Sequence, residues 1–368
     1  MQRYFPPRDG AWDRLSPADA GLTQSGVDGA IAFAVAHESS MDRDIGRALS
    51  GGHFSEPLPD GEIIGPSKPR GAPSGLILKS GRIVAEWGPT TATDMTFSVT
   101  KSYLAICAGL AVADGLIAAL DQPVRDNVAE LFEAEQNRTI TWRHLLQQTS
   151  EWEGTLWGKA DRIDRHRQLG VAPNTPSLKG THRDLQKPGA FWEYNDIRVN
   201  VLSTCLMRLF RRPLADVLRE RIMDPIGASR DWQWHGYENS FVEIDGRRMQ
   251  SVSGGAHWGG GLFISARDHA RVGLLMANNG AWDGARLLPA DWVETCTTPC
   301  PLNPDYGLLW WLNGQGAQAP SASRSSYFAV GVGRNVIWID PENDLVTVLR
   351  WIEGDALDGF AGLLTASQ

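Results

Sequence analysis

Ser98 and Lys101 have the residue types and the spacing of an activated nucleophile, at the start of the most apolar predicted helix. Residues three apart share one face of a helix with Cβ atoms about 5–6 Å apart, so the Lys101 amine can reach the Ser98 hydroxyl. Free backbone N–H groups and the positive end of the dipole at a helix N-terminus favour a developing oxyanion. Burial of the lysine would favour a neutral amine that can take the serine proton. This pair predicts Ser–Lys nucleophilic catalysis.

The alternative for this pair is a Ser98 that caps the helix and a Lys101 that is solvated on its first turn. The chain has six Lys against 29 Arg, and only Lys101 has a Ser three residues before it. A solvated position in this chain would more often be Arg, whereas an amine that must lose its proton has to be Lys. The composition therefore favours the catalytic interpretation.

Two further segments carry candidate residues. Tyr194 lies in a turn before a predicted helix, and its phenol is either a packing group or, near a lysine, a general base or proton relay. His257 and Trp258 precede the run Gly259–Gly261 and either line a substrate pocket or pack inside a loop. We find no phosphate-binding loop, no dinucleotide fingerprint and no zinc-ligand spacing among the four Cys, so we expect neither a metal nor an organic cofactor.

Composition excludes several classes of protein. The 368 residues are 42% hydrophobic and 21% charged, which fits a globular chain of one large or two ordinary domains and excludes disorder. The net charge of −8 gives no indication of a nucleic-acid or membrane partner. The longest apolar run, 103–120, contains Asp114 and two Gly and predicts a buried helix. The first residues lack an apolar signal region, so we expect a cytoplasmic protein.

The elements that must position these residues follow the order strands, helices, strands. Segments 75–79 and 82–86 flank Ser80-Gly81, a two-residue hairpin signal. Helical periods then cover 99–119, 141–148, 199–211, 213–222, 266–278 and 289–297. Residues 327–332, 335–340 and 345–351 read as strands, with a short helix from about Ala356. Segregated runs predict an α+β fold in which one antiparallel sheet is built from both chain ends and flanked by helices, with a mainly helical region inserted.

Six segments in order along residues 70–352 resemble the serine hydrolases of the class C β-lactamase and penicillin-binding-protein superfamily. The branch that they resemble includes family VIII-type esterases and 6-aminohexanoate-dimer hydrolase-like amidases. The segments are Phe97–Ser102, Ile140–Ser150, Pro188-Gly189 with Tyr194, Gly259–Asp268, Tyr306–Trp311 and Tyr327–Pro341. The resemblance implies a β-lactamase-like fold and an active site between a sheet subdomain (71–97 and 256–368) and a mainly helical subdomain (98–255). Residues 1–70 are then an extension with a first helix.

The resemblance also implies roles for individual residues. Ser98 would be the acylated nucleophile, and Lys101 and Tyr194 would handle protons, with the base between them left open. The backbone N–H groups of Ser98 and Val332 would form the oxyanion hole. A small-molecule ester or amide would be the substrate.

The chain departs from the family pattern at two motifs. Asp196 stands where the family has a substrate-orienting Asn, and Asn195 could serve in its place. A carboxylate near Lys101 would stabilise the ammonium and make Tyr194 the stronger candidate for the base.

The third family motif, Lys-Thr-Gly or His-Thr-Gly, reads Ala329-Val330-Gly331, and no Lys follows Lys187. We therefore expect β-lactams, whose carboxylate this motif holds, to be poor substrates unless Arg334 replaces the lysine. We interpret the sequence as that of an ester or amide hydrolase. A β-lactamase or D-amino-acid peptidase of the same fold, or a non-catalytic binding protein, is the alternative.

Overall fold

The protein is described here by a computed structural model covering residues 3–9, 11–54, 56–170 and 177–366. Its helices are α1 (Gln24–Ala36), α2 (Ile45–Ser50), α3 (Val99–Ala113), α4 (Trp142–Leu146), α5 (Asp196–Phe210), α6 (Leu214–Leu218), α7 (Ala266–Ala277), α8 (Trp292–Thr297) and α9 (Ala356–Thr365). Its strands are β1 (Ser74–Lys79), β2 (Arg82–Trp87), β3 (Asp94–Met95), β4 (Thr155–Leu156), β5 (Lys159–Ala160), β6 (Gln233–Ile244), β7 (Arg247–Val252), β8 (Gly261–Ile264), β9 (Ala281–Trp282), β10 (Ala285–Arg286), β11 (Trp311–Leu312), β12 (Tyr327–Gly331), β13 (Asn335–Asp340) and β14 (Leu345–Arg350).

The main sheet combines strands from both ends of the chain, as the sequence predicts. Its order is β11-β12-β13-β14-β1-β2, and every neighbouring pair is antiparallel. The join is the β1–β14 ladder, in which Ile77 lies opposite Thr347. The strands are almost wholly buried because α7 packs on one face and α1 and α9 on the other. The predicted α+β fold is confirmed.

The β1–β2 hairpin turns at Ser80 and Gly81, which both have positive φ, 49° and 84°. This backbone matches the type I′ turn that suits the twist of two-residue hairpins. A side chain at Gly81 would also collide with the Tyr4 carbonyl oxygen, which lies 1.9 Å from the place of a Cβ. Glycine is therefore required there by both conformation and space.

The region predicted as mainly helical also contains a long hairpin. Strands β6 and β7 pair as far as the Ile244–Arg247 end of the hairpin and join a four-stranded sheet of order β3-β8-β6-β7. The sequence prediction missed these strands because their exposed residues interrupt the alternation, for example in the Arg247-Arg248 pair. Helix α3 also ends at Ala113 rather than Ala119, before Asp114-Gly115, where Gly115 has φ +70°. The division into subdomains at the predicted bounds stays a prediction.

Arg350 joins the two sheets from the end of β14. Its side chain is 2% exposed, and its guanidinium donates to the carbonyl oxygens of Ile264 and Met95, both at 2.9 Å, and to Asn335 Oδ1. Because Met95 and Ile264 belong to the four-stranded sheet, one buried cation connects it to the main sheet. The link lies three residues before Ser98.

Candidate active site

Ser98 lies on the turn that leads from β3 into α3. Phe97 has φ +48°, a left-handed backbone that is rare for a bulky residue and turns the chain sharply before the serine. Ser98 then occupies the N-cap position of α3 without making a side-chain cap bond. It is half-buried, whereas both of its neighbours are fully buried. The hydroxyl is therefore free for other partners and can be reached from solvent.

Lys101 lies beneath the serine on the first turn of α3. Its side chain is 2% exposed, and its Nζ donates to Ser98 Oγ at 2.7 Å. The same Nζ donates to Asp196 Oδ1 in a buried ion pair and lies 4.6 Å from the centre of the Tyr194 ring. The predicted contact between Ser98 and Lys101 is present. The solvated alternative for Lys101 is excluded.

Asp196 begins α5, and Lys101, Arg167 and His257 surround its carboxylate. Oδ1 accepts a hydrogen bond from Lys101, and Oδ2 is paired with Arg167 and lies 3.0 Å from His257 Nδ1. Burial alone would raise the pKa of Asp196, but Lys101 and Arg167 outweigh it and hold this pKa well below the usual value. Asp196 is therefore a carboxylate, held in a buried ion pair with Lys101.

Gly255 makes room for this ion pair. A Cβ at this position would lie 2.0 Å from Asp196 Oδ1 and 2.5 Å from Lys101 Nζ. No other residue type fits without separating the two charged groups.

Tyr194 stands at the mouth of the site, between the cations and a group of aromatic rings. The Arg167 guanidinium lies 5.2 Å from its ring centre, and the Trp311 ring stacks on it at 5.8 Å. A cavity of about 280 Å³ opens beside Tyr194, between segments 166–168 and 191–194 and the side chain of Leu178. Tyr194 and Arg167 line this cavity, whereas Ser98 and Lys101 do not.

Strand β12 approaches the serine turn at Gly331. A Cβ on Gly331 would lie 2.2 Å from the Thr96 carbonyl oxygen and 3.1 Å from the Ser98 nitrogen. Only glycine allows the strand to come this close. The half-buried Val332 follows Gly331 in the chain.

Behind Asp196 the charged groups continue inward. His257 Nε2 lies 2.7 Å from Glu56 Oε1, and Lys179 pairs with Glu56 and, at 3.2 Å, with Asp164. We call these residues the active-site charge cluster: Glu56, Lys101, Asp164, Arg167, Lys179, Asp196 and His257. Glu56, Asp164 and His257 offer ligand atoms within 4.8 Å of one another, as a metal site would. The Lys179 ammonium already pairs with both of these carboxylates.

A comparison with protein families identifies the chain. The family described as Beta-lactamase matches residues 75–351, three quarters of the sequence. The chain belongs to the beta-lactamase family. The predicted serine-hydrolase superfamily is thereby confirmed, and the chain is a hydrolase of the beta-lactamase-fold kind.

Individual members of the family are distant in sequence. The 6-aminohexanoate-dimer hydrolase of Paenarthrobacter ureafaciens is 24% identical over 300 residues, which cover 74% of this chain and 70% of that enzyme. The structure of EstCE1, a hydrolase with promiscuous acyltransferase activity, aligns with a TM-score of 0.60 at 15% identity over 94% of this chain and 98% of its own. A β-lactamase of Mycobacterium bovis aligns with a TM-score of 0.54 at 19% identity over 86% and 97%. Both structures have the fold of this chain.

Three residues predicted to bind substrate are buried and have other partners in the fold. Asn195 is fully buried, caps α5 by accepting from Arg198 N, and donates to the Asp161 carbonyl oxygen at 2.9 Å. Ala329 is fully buried in β12. Trp258 is 1% exposed and donates its indole N–H to the Asp60 carbonyl oxygen at 2.8 Å. A role of these residues in substrate binding stays a prediction.

Other candidates are also buried or paired. Asp196 and His257 are each 1% exposed; Asp196 contacts Lys101, and His257 contacts Asp196 and Glu56. The guanidinium of Arg334, the alternative replacement for the family lysine, donates to the Gly354 carbonyl oxygen. Val330 is half-buried and offers an apolar surface.

Sequence reasoning missed Glu56, Asp164, Arg167 and Lys179. The run Asp161-Arg-Ile-Asp-Arg-His-Arg167 alternates charges with unusual density, and this signal could have indicated a paired cluster. Glu56 has no such signal, because it stands in a segment rich in Pro and Gly without a pattern of charged residues. No helix in the described part of the chain has the length and hydropathy needed to cross a membrane.

Proposed function

We propose that this protein hydrolyses a small-molecule carboxylic ester or amide through an acyl-enzyme on Ser98. The observation that carries the proposal is the half-buried Ser98 hydroxyl, which accepts a hydrogen bond from Lys101 at 2.7 Å at the N-terminus of α3. Such a hydroxyl can be reached by a substrate, has a positioned partner and lies where an anion is stabilised.

The chemical steps follow from the charges around the serine. Lys101 donates to Ser98 while paired with Asp196, so it holds no free lone pair for the serine proton. Ser98 Oγ attacks the carbonyl carbon, and its proton passes to the oxygen of Tyr194, which acts as a proton relay. Tyr194 returns that proton to the departing alkoxide or amine, and a water then releases the acyl group by the same route. The N–H groups of Ser98 and Val332 bind the oxyanion in both halves.

An uncharged substrate suits the residues of β12. Val330 stands where the family carries a hydroxyl, and Ala329 where it carries a cation, so neither position offers a partner to a carboxylate. The similar P. ureafaciens enzyme is a hydrolase of a 6-aminohexanoate dimer, and the similar EstCE1 is a hydrolase with promiscuous acyltransferase activity. We therefore place carboxylic esters and linear amides ahead of β-lactams and D-amino-acid peptides.

The test is covalent labelling with a fluorophosphonate, followed by intact mass and peptide mapping. We expect one adduct on the peptide that contains Ser98 and hydrolysis of p-nitrophenyl butyrate. Ser98→Ala should lose both, by at least about 10³-fold in turnover. Ser102→Ala is the matched control, because Ser102 lies on the same helix but bonds the Leu309 carbonyl oxygen. A label elsewhere, or turnover that survives in Ser98→Ala, would contradict the proposal.

Labelling also separates the enzyme from the non-catalytic alternative. A binding protein of this fold would hold the label on Ser98 without turning over any ester or amide in a panel. Turnover that disappears with Ser98→Ala excludes it.

A further inference from the structure

His257 lies between two carboxylates inside the protein. Its Nδ1 is 3.0 Å from Asp196 Oδ2 and its Nε2 is 2.7 Å from Glu56 Oε1, with the side chain 1% exposed. Ionised carboxylates accept hydrogen bonds and cannot donate them, and a neutral imidazole carries one N–H and one lone pair. With a neutral ring, one of these two short contacts would set a lone pair against an anion. Both contacts are hydrogen bonds only if an extra proton is present.

That proton could sit on a carboxyl or on the imidazole. Burial alone would raise the pKa values of Glu56 and Asp196. Lys179 nevertheless forms an ion pair with Glu56, and Lys101 and Arg167 form ion pairs with Asp196, so permanent cations favour the ionised form of both carboxyls. Both carboxyls are therefore ionised, which leaves the ring as the holder of the proton.

The protein contains its own comparison in His269. This second buried imidazole lies between two hydroxyls, with Nε2 2.8 Å from Thr96 Oγ1 and Nδ1 2.8 Å from the Tyr103 hydroxyl. A hydroxyl can donate or accept, so a neutral ring satisfies both contacts. Burial also lowers the pKa of His269 well below its usual value. Of these two buried histidines, His257 is the one whose partners require two ring N–H groups.

We propose that His257 is a doubly donating imidazolium that acts as a positioning residue, fixing Asp196 against Lys101 and tying the N-terminal segment around Glu56 to the active site. The proposal rests on the proposed function, because the lysine that it positions is the partner of Ser98. It assigns a role to residues that do not touch the substrate.

The other charged groups of the active-site charge cluster balance one another. Its three carboxylates and three permanent cations sum to zero, so an imidazolium at His257 gives the cluster a net charge of +1. The groups that face the ring from the surrounding segments are Asp196, Glu56, Lys179, Asp164, Arg167, Lys101 and His53. Phe54 stacks on the imidazole at 4.1 Å and shields it from water.

Glu56 supplies the decisive variant. In Glu56→Gln the new amide can donate to Nε2, so a neutral His257 can satisfy both contacts by donating from Nδ1 to Asp196. The proposal therefore requires the ring to lose one proton in this variant at a pH where the natural protein keeps it. A His257 that only fills space would show the same protonation in both proteins.

The experiment is nitrogen NMR of the full chain labelled with ¹⁵N-histidine, at pH 7.5. We expect two N–H groups on His257 in the natural protein, one in Glu56→Gln, and one on His269 in both. His257→Gln assigns the signal by removing it. A single N–H on His257 in the natural protein, or two in Glu56→Gln, overturns the proposal. The outcome does not depend on turnover, so it is separable from a failure of Ser98 to act as nucleophile.

Activity provides the second readout. We expect His257→Gln to lower kcat about 10- to 100-fold with little change in KM, as for other residues that orient a catalytic group. Glu56→Gln should lose less, because Asp196 keeps its donor. His182→Gln is the control, since His182 is exposed and pairs with Asp184. Equal losses in His257→Gln and Glu56→Gln, or no loss in His257→Gln, would contradict the positioning role.

Discussion

Two groups of buried charges flank the start of α5, and they are built from different cations. The active-site charge cluster uses two lysines, one arginine and His257. The structural charge cluster lies behind it and pairs three carboxylates with three guanidiniums: Glu151, Asp161, Arg165, Arg183, Glu193 and Arg198. Its charges cancel without a further proton. The cluster next to the serine instead contains the side chains whose protonation can change.

The difference matters because arginine stays protonated in proteins, whereas lysine and histidine can exchange a proton. Arg198 is 1% exposed and reaches Glu151 at 2.8 Å and Asp161 at 3.3 Å, so it joins α5 to the loops before it. Such permanently charged pairs fix the position of α5 relative to these loops. The active-site charge cluster also contacts α5, through Asp196, and contains Lys101, the hydrogen-bond partner of Ser98.

Among the changes that compare the two clusters, the largest effect on turnover should come from Lys101. Lys101→Ala removes the donor to Ser98, and we expect kcat to fall about 10³-fold, within the range for a lost proton-handling group. Lys159→Ala is the matched control, because Lys159 is also buried but donates to the Asp60 and Glu62 carbonyl oxygens at 2.8 and 3.1 Å. Initial rates with p-nitrophenyl butyrate decide the point. Similar losses in both variants would mean that any buried lysine matters equally.

The structural charge cluster should respond in stability. Arg198→Met leaves Glu151 and Asp161 buried with fewer partners, and breaking buried pairs of this kind costs about 3–5 kcal/mol. We expect a lower urea midpoint, with kcat per folded molecule close to that of the natural protein. A lower kcat at full folding would show that the two clusters are not separate in function.

Comparison of a substrate that carries a carboxylate with an uncharged ester tests whether a cation of the active-site charge cluster contacts the bound substrate. Because Ala329 and Val330 offer no partner to a carboxylate, we expect kcat/KM for nitrocefin to be about 10- to 100-fold below that for p-nitrophenyl butyrate. This is the value of one hydrogen bond to a charged group. Comparable values for the two substrates would place a cation of the cluster within reach of the substrate and favour the β-lactamase alternative.

The smallest effect concerns pH and stability. Because the pKa of Asp196 lies well below its value in an unfolded chain, its ionisation stabilises the fold above about pH 4. That contribution declines as the pH falls towards the lower folded pKa, at up to about 1.4 kcal/mol per pH unit for one proton. Asp196→Asn lacks this term, so its stability deficit should narrow between pH 5 and pH 3 in urea unfolding. A constant deficit would show that Asp196 does not carry the charge of the site.

The sheet was predictable from the sequence because its signals are local. Alternating and continuous apolar runs, a Ser80-Gly81 turn and the Pro341–Asp344 turn determine where β1, β2, β13 and β14 begin and end. The β6–β7 hairpin has a local signal too, the two-residue turn Asp245-Gly246 with positive φ at both positions, but the exposed residues of its strands concealed it. Its stability comes from packing on α5 and from pairing with β8, and both partners are distant in the sequence.

The site was predictable only where a motif holds its residues together. Ser98 and Lys101 share one helical turn, and Tyr194 and Asp196 stand two residues apart. The remaining members of the cluster meet through space, as Glu56 and His257 do across 201 positions. Asn195, which could have served in place of the family Asn, caps α5, and this use was not visible from the family motif.

Arg350 gives the serine turn an unusual kind of protection. Because this arginine joins Met95 and Ile264 to the end of β14 in the main sheet, the backbone before Ser98 cannot open without separating two sheets. Amide hydrogens around Phe97 and Val99 should then exchange only when the whole molecule unfolds. We therefore expect the turn that carries Ser98 to belong to the slowest-exchanging part of the protein.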